Sequence, residues 1–225
     1  MARFSRIETS LKIMETGLVP LFYNSELEVC KQVIDACYGG GARVFEFTNR
    51  GDFAHEIFAE LNKYVINKYP DFILGVGSVI DAGTASVYLQ LGANFIVSPV
   101  LVEEIASVCN RRKILWMPGC GTLTEITNAE SLGAEIVKIF PGASVGGPGF
   151  VKAVGGPMPW TSIMATGGVD TTEENLKAWF EAGVTAVGMG SKLITGEILK
   201  NNDFQLLEDS VKKALAFIEI FQRQK

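Results

Sequence analysis

The chain has 225 residues, 48% of them apolar and 10% aromatic, enough hydrocarbon to build a sizeable core and too much for a disordered chain. Its formal net charge of −5 lacks the basic footprint of a dedicated nucleic-acid binder. Four cysteines (Cys30, Cys37, Cys109, Cys120) stand without a C-x-x-C pair and read as reduced thiols, not as a disulfide framework.

Residues 4–16 read as an amphipathic helix that precedes everything else. Charges interrupt this segment, so it lacks the apolar core of a signal peptide. No run anywhere approaches the roughly 18 apolar residues of a membrane span. A cytoplasmic protein with no membrane partner is the expectation.

Beyond it, short apolar runs alternate with amphipathic stretches. The runs predict strands over 18–23, 43–48, 72–77, 94–99, 113–118, 135–140, 161–166 and 186–190. Helices are predicted over 26–38, 52–68, 82–91, 102–110, 122–131, 148–155, 172–181 and 204–222. Asp81, Ser25-Glu26 and Thr171 to Glu174 read as helix entries. Gly39 to Gly41, Gly92, Gly133 and Gly183 read as helix exits. The phrases LGANFIV, LGAEIVK and AGVTAVG repeat one helix–glycine–strand junction. Such alternation needs long crossovers and therefore a parallel sheet. With no linker composition to interrupt it, residues 1–225 are expected to form a single (β/α)8 TIM barrel, an α/β fold, with an extra N-terminal helix. A doubly wound open sheet is the competing architecture.

In a barrel, side chains alternate between the interior and the helix layer. Phe45 and Phe47 belong against the helices, so Glu46 points inward and Arg50 falls at the C-terminal mouth. Val137 and Ile139 likewise turn Lys138, in the stretch EIVKIFPG, to the interior. A buried amine has a lowered pKa and attacks a ketone to form a Schiff base; an inward carboxylate moves the protons. Arg50 offers a planar fork for the carboxylate of a 2-oxo acid. A purely structural Glu46–Lys138 ion pair is the alternative.

Thr166-Gly167-Gly168 and Gly190-Ser191 follow the seventh and eighth strands, where barrel loops frequently hold phosphate. Tight turns account for the same glycines. Ser78 and Ser98-Pro99 would add donors and a rigid edge to the mouth, and ordinary loop chemistry explains either one equally well. The segment 142–159 reads as a surface loop with one short helix, a lid or subunit contact being the alternative. His55, the only histidine, lies within a helix, and no cluster has ligand spacing, so no metal is expected. Trp116, Trp160 and Trp179 read as packing residues, and Cys120 has no histidine to make it a nucleophile.

Val137-Lys138-Ile139-Phe140-Pro141 resembles the K-x-F-P segment of the class I KDPG/KHG aldolases, and Glu46-Phe47-Thr48-Asn49-Arg50 is similar to their E-x-T-x-R. Ser98-Pro99, Pro118-Gly119 and Thr166-Gly167-Gly168 follow in the same order. The resemblance spans Leu18 to Ser191. It implies a Schiff-base lysine at Lys138, a general acid/base at Glu46 and a pyruvate-carboxylate grip at Arg50. It also implies no metal or organic cofactor, and commonly a trimer, so a homotrimer is expected. Ser78 would share the carboxylate, and Pro99 and Phe140 would wall the pyruvate pocket. Thr166, Gly167, Gly168, Gly190 and Ser191 would receive a phosphate or terminal hydroxyl. Ser78, Val100, Gly142 to Ser144 and Met189 depart from the pattern.

The expected function is cleavage of a 2-oxo-3-deoxy sugar acid to pyruvate and an aldehyde, with 2-dehydro-3-deoxy-6-phosphogluconate leading. Alternatives are a 4-hydroxy-2-oxoglutarate or non-phosphorylated sugar-acid aldolase, a phosphate-binding isomerase or epimerase using Glu46 as base, and a non-catalytic sugar-acid binding barrel.

Overall fold

The computed structural model describes residues 2–223. Its strands are β1 (Leu18–Phe22), β2 (Val44–Thr48), β3 (Ile73–Gly77), β4 (Phe95–Val97), β5 (Leu115–Met117), β6 (Gly119–Cys120), β7 (Val137–Ile139), β8 (Ile163–Thr166) and β9 (Ala186–Met189). They form one parallel sheet in the order β5-β4-β3-β2-β1-β9-β8-β7-β6. Only Pro118 separates β5 from β6, so the two ends of that row are one stave and the sheet closes as an eight-stave barrel. Proline has no N–H for a ladder, which is why the stave breaks there. On one side Ser98 N–H donates to the Met117 carbonyl; on the other Lys138 N–H donates to the Pro118 carbonyl at 2.8 Å.

The helices are α1 (Arg6–Thr16), α2 (Leu27–Gly39), α3 (Ala54–Lys68), α4 (Ala82–Gln90), α5 (Glu103–Arg112), α6 (Leu123–Ser131), α7 (Gly147–Gly155), α8 (Glu173–Ala182), α9 (Gly196–Asn201) and α10 (Phe204–Gln222). Asp81 and Thr172 cap α4 and α8 by accepting from Thr84 N–H and Asn175 N–H. Ser25 does not cap α2. Glu26 holds the N-cap position without a side-chain bond, and the Asn24 amide oxygen accepts from Glu26 N–H at 2.8 Å. The periodicity does not predict α9, because six residues are too few to show a 3.6-residue repeat. Among the described residues no helix is long and apolar enough to cross a membrane.

The alternation along the strands separates two cores. Phe45, Phe47, Val137 and Ile139 pack outward against the helices. Val19, Val44, Ile73, Phe95, Leu115, Met117, Ile136 and Met164 fill the barrel, and Ile13 of α1 joins them from below. The leading helix is thus a plug for the N-terminal end. Backbone N–H groups of Arg3 and Phe4 donate to the Asn94 amide oxygen, and Arg6 N–H to the Lys113 carbonyl, which fixes the plug. Trp116 and Trp179 are buried, but Trp160 is 69% exposed and packs in neither core. It follows α7 in a turn-rich connection, where no repeat assigns it a face.

Two glycines leave space inside the barrel. A Cβ at Gly75 would stand 2.4 Å from the Phe95 ring, and one at Gly77 would stand 1.7 Å from Glu46 Oε1. Overpacking of this kind costs about 1–3 kcal/mol. Gly75→Ala is therefore expected to lower the melting temperature by roughly 2–12 °C in a chain of this length. Calorimetry showing an unchanged transition would mean that the inner layer has slack the packing does not reveal.

Candidate active site

Lys138 and Glu46 come from opposite parts of the chain and meet inside the barrel. Lys138 sits in the middle of β7, beside Gly119 and Met164 in register. Glu46 sits in the middle of β2, beside Leu21 and Gly75. Lys138 Nζ lies 3.9 Å from Glu46 Oε1, with the two residues only 5% and 1% exposed. The ammonium also stands over the Phe140 ring, 5.0 Å from its centroid.

Burial sets the protonation of both groups. It pushes the Glu46 carboxyl above the usual carboxylate range, against the pull of Lys138 and Arg50. It pushes the Lys138 amine below the usual lysine range, opposed by Glu46 and helped by Arg50. Glu46 Oε2 is buried without a hydrogen-bond partner among the described residues. A pair kept for stability would have its lone pairs satisfied, because an orphaned buried oxygen is costly. The open valence leaves Glu46 Oε2 able to take a hydrogen bond from a group that enters the barrel.

Above this pair, Arg50 Nε donates to Ser78 Oγ at 3.3 Å. Ser78 holds a left-handed backbone (φ 60), a conformation sparsely used by a residue with a Cβ. A cavity of about 460 Å³ opens at the C-terminal mouth, lined by Arg50, Phe140, Thr166, Gly167, Gly168, Gly190 and Ser191 among others. Thr48, Phe140 and Thr166 line it, each two residues on along the chain from Glu46, Lys138 and Met164. The loops after β7 and β8 are laced together, with Gly142 N–H donating to the Thr166 carbonyl and Ala143 N–H to that of Gly167. Gly142 permits this approach, since a Cβ there would stand 2.8 Å from the Gly167 carbonyl oxygen.

The sequence expectations divide cleanly. Lys138 meets Glu46, Arg50 meets Ser78, and the two glycine segments share one cavity with Phe140 and Thr166. Pro99 does not line that cavity; its carbonyl packs over Gly119, where a Cβ would stand 2.1 Å from the oxygen. Ser98 does not line that cavity; it is fully buried, and its hydroxyl accepts from Trp116 Nε1 at 2.8 Å. Met189, one of the departures from the family pattern, is the last residue of β9 and packs against the helices. The periodicity passes over Leu21, Tyr23, Thr48 and Lys192 in the cavity wall. Thr48 shares the inward parity of Glu46 and Leu21 that of Val19, so both were open to detection; Tyr23 and Lys192 lie beyond the ends of β1 and β9, where parity no longer applies. All four cysteines are buried, with Cys120 pushed up to about 12. Among the described residues no group of three His, Cys, Asp or Glu side chains is placed to hold a metal ion.

Fold and site together define a barrel enzyme of the carbon–carbon lyase class. The chain belongs to the KDPG and KHG aldolase family, whose sequence profile matches residues 7–210. It is 27% identical to a 2-dehydro-3-deoxy-phosphogluconate aldolase of Pseudoalteromonas atlantica, over 88% of this chain and 90% of that one. It is 31% identical to the 2-dehydro-3-deoxy-6-phosphogalactonate aldolase of Escherichia coli, over 70% and 73%. Its structure superposes with a TM-score of 0.80 on the KDPG aldolase of Legionella pneumophila, in which pyruvate is captured at low pH as a covalent carbinolamine. That pair is 27% identical, with 89% and 95% of the chains covered.

The pair can be tested apart from turnover. Glu46→Gln leaves a buried ammonium without its counter-charge, and is expected to destabilise by about 3–5 kcal/mol near pH 7. Lys138→Met added to it should recover most of that loss. Because the Lys138 pKa is lowered in the folded state, the folded chain releases this proton before the unfolded chain does. Raising the pH toward the unfolded lysine value of about 10.4 therefore favours folding and shrinks the Glu46→Gln deficit. Urea denaturation at pH 7 and 10 reads both effects; a deficit that is independent of pH and of Lys138 would show that the two groups are not coupled.

Proposed function

We propose that the chain is a Schiff-base (class I) aldolase for a 2-oxo-3-deoxy sugar acid, with 2-dehydro-3-deoxy-6-phosphogluconate as the leading substrate. The observation that carries this is a buried amine 3.9 Å from a buried carboxylate, beneath a mouth edged by a guanidinium. The products are pyruvate and an aldehyde, here glyceraldehyde 3-phosphate.

The chemistry follows from those positions. The free Lys138 amine adds to the C2 ketone, and the carbinolamine loses water to give an iminium. Glu46, acting through bound water, takes the proton from the C4 hydroxyl. The C3–C4 bond breaks, its electrons pass into the iminium, and the aldehyde departs from the resulting enamine. Protonation at C3 and hydrolysis then release pyruvate and regenerate the amine. Arg50 and Ser78 hold the carboxylate, and Phe140 walls the pyruvate end. Pro99 walls the same end, its carbonyl packed over Gly119, the residue in register with Lys138. Thr166 to Gly168 and Gly190-Ser191 receive the distal phosphate. Their support is chemical: Thr166 Oγ1 is buried without a partner among the described residues, and no acceptor among them takes the N–H groups of Gly168, Ser191 or Lys192.

The reading takes residues 1–225 as one aldolase domain, cytoplasmic and requiring no cofactor. It carries over the family's trimer, so sedimentation should give three times the chain mass of 24.4 kDa; a monomer would remove that part.

Borohydride reduction in the presence of pyruvate is expected to leave a pyruvyl adduct on Lys138, detectable by mass spectrometry and absent in Lys138→Ala. The lowered amine pKa places the acid limb of adduct formation below about 10.4. Glu46→Gln should slow turnover about 10²–10⁴-fold. A panel of phosphorylated and free 2-oxo-3-deoxy acids and 4-hydroxy-2-oxoglutarate, coupled to pyruvate release, separates the substrate alternatives. Pyruvate binding without any aldol product would instead support a binding protein, and full turnover by Lys138→Ala would end the Schiff-base reading.

A further inference from the structure

The cavity wall contains two charged residues, Arg50 and Lys192, and no carboxylate. In a chain of net charge −5, that is a local reversal of sign. The two cations stand on the loops after β2 and β9, on either side of β1, whose Leu21 lies in the wall between them. They differ in how they are held. Arg50 is tied to Ser78, whereas Lys192 has no ion pair and no hydrogen bond among the described residues. Lys192 is exposed at the mouth, beside Gly190 and Ser191 and in the same cavity as Gly167 and Gly168. Its own N–H and those of Ser191 and Gly168 lack acceptors. Three open donors and an uncommitted ammonium make a cradle for an anion of higher charge than a carboxylate.

We propose that Lys192 is the specificity-determining residue for the far end of the substrate, selecting 2-oxo-3-deoxy acids that carry a terminal phosphate over those that end in a hydroxyl. This rests on the aldolase reading and adds to it a side chain that the glycine loops do not supply. Backbone N–H groups bind a phosphate and also tolerate a neutral hydroxyl. A mobile ammonium gains mainly from the dianion. Lysine suits this work because its point charge sits on a flexible stem, free to follow the phosphate to where the sugar chain places it. Its exposure has a consequence that a structural role would not have: the contribution must weaken with salt.

The test compares wild type with Lys192→Met and Lys192→Arg on 2-dehydro-3-deoxy-6-phosphogluconate and on the same acid without phosphate, at low and high ionic strength. Lys192→Met keeps the apolar stem and removes the charge. It is expected to lower kcat/KM for the phosphorylated acid roughly tenfold, chiefly through KM, and to leave the free acid within about twofold. Lys192→Arg should restore most of the loss. Salt should raise KM for the phosphorylated acid in wild type and do so much less in Lys192→Met. An equal loss on both substrates, no loss, or a wild type that shows no preference for phosphate would overturn the role of Lys192 while leaving the Schiff-base chemistry standing. Failure to trap pyruvate on Lys138 would overturn the aldolase reading itself, and the Lys192 assignment with it.

Discussion

An ammonium and a carboxylate are held 3.9 Å apart in a barrel interior otherwise packed with Val, Ile, Leu, Met and Phe, and the rest of the site depends on the conditions that make this tolerable. Each charge taken alone would be too costly to bury, and each supplies the counter-charge the other needs. Space is the second condition. Glu46 Oε1 occupies the volume that a Cβ on Gly77 would take, and Phe95 fills the volume left at Gly75. The third is closure from below. Ile13 of α1 seals the N-terminal end, so the pair faces only the C-terminal mouth.

That one-sided exposure gives the site its direction. Thr48, Phe140 and Thr166 line the cavity two residues beyond Glu46, Lys138 and Met164, and the charged wall residues Arg50 and Lys192 sit on the loops after β2 and β9. On the proposed aldolase reading, reacting atoms would go deep, where desolvation favours the neutral amine, and anionic groups would stay at the rim beside the exposed Arg50 and Lys192. The lacing of Gly142 and Ala143 onto Thr166 and Gly167 ties the two arcs of the site together. A loop joined in this way moves with its neighbour, so the positions of Phe140 and the glycine turn are set jointly.

Much of this was legible along the chain. Phe45 and Phe47 bracket Glu46, and Val137 and Ile139 bracket Lys138. In a sheet whose outer face meets helices, bulky apolar neighbours force the intervening residue inward. Strand alternation is a local rule, so it survives without knowledge of the fold. Ser98, Pro99 and Met189 were not legible in the same way. Each lies at a strand end, where parity gives a direction and not a partner, and Trp116, Gly119 and the helix layer claimed them. Trp160 had no repeat to place it, and its size alone pointed to a core it does not enter.

By itself, then, the sequence determined the alternation of strand and helix, the inward facing of Glu46 and Lys138, and the loops in which glycine clusters. Those depend on contacts between residues near in sequence and on which face of a strand each one takes. Only the tertiary structure decided that Glu46 and Lys138 are within reach of each other, that Pro118 hands one stave from β4 to β7, and that Lys192 joins the wall with Arg50. The physical reason is closure. Residues 92 positions apart (138 minus 46) become neighbours only when the last stave pairs with the first, and no local preference encodes that distance.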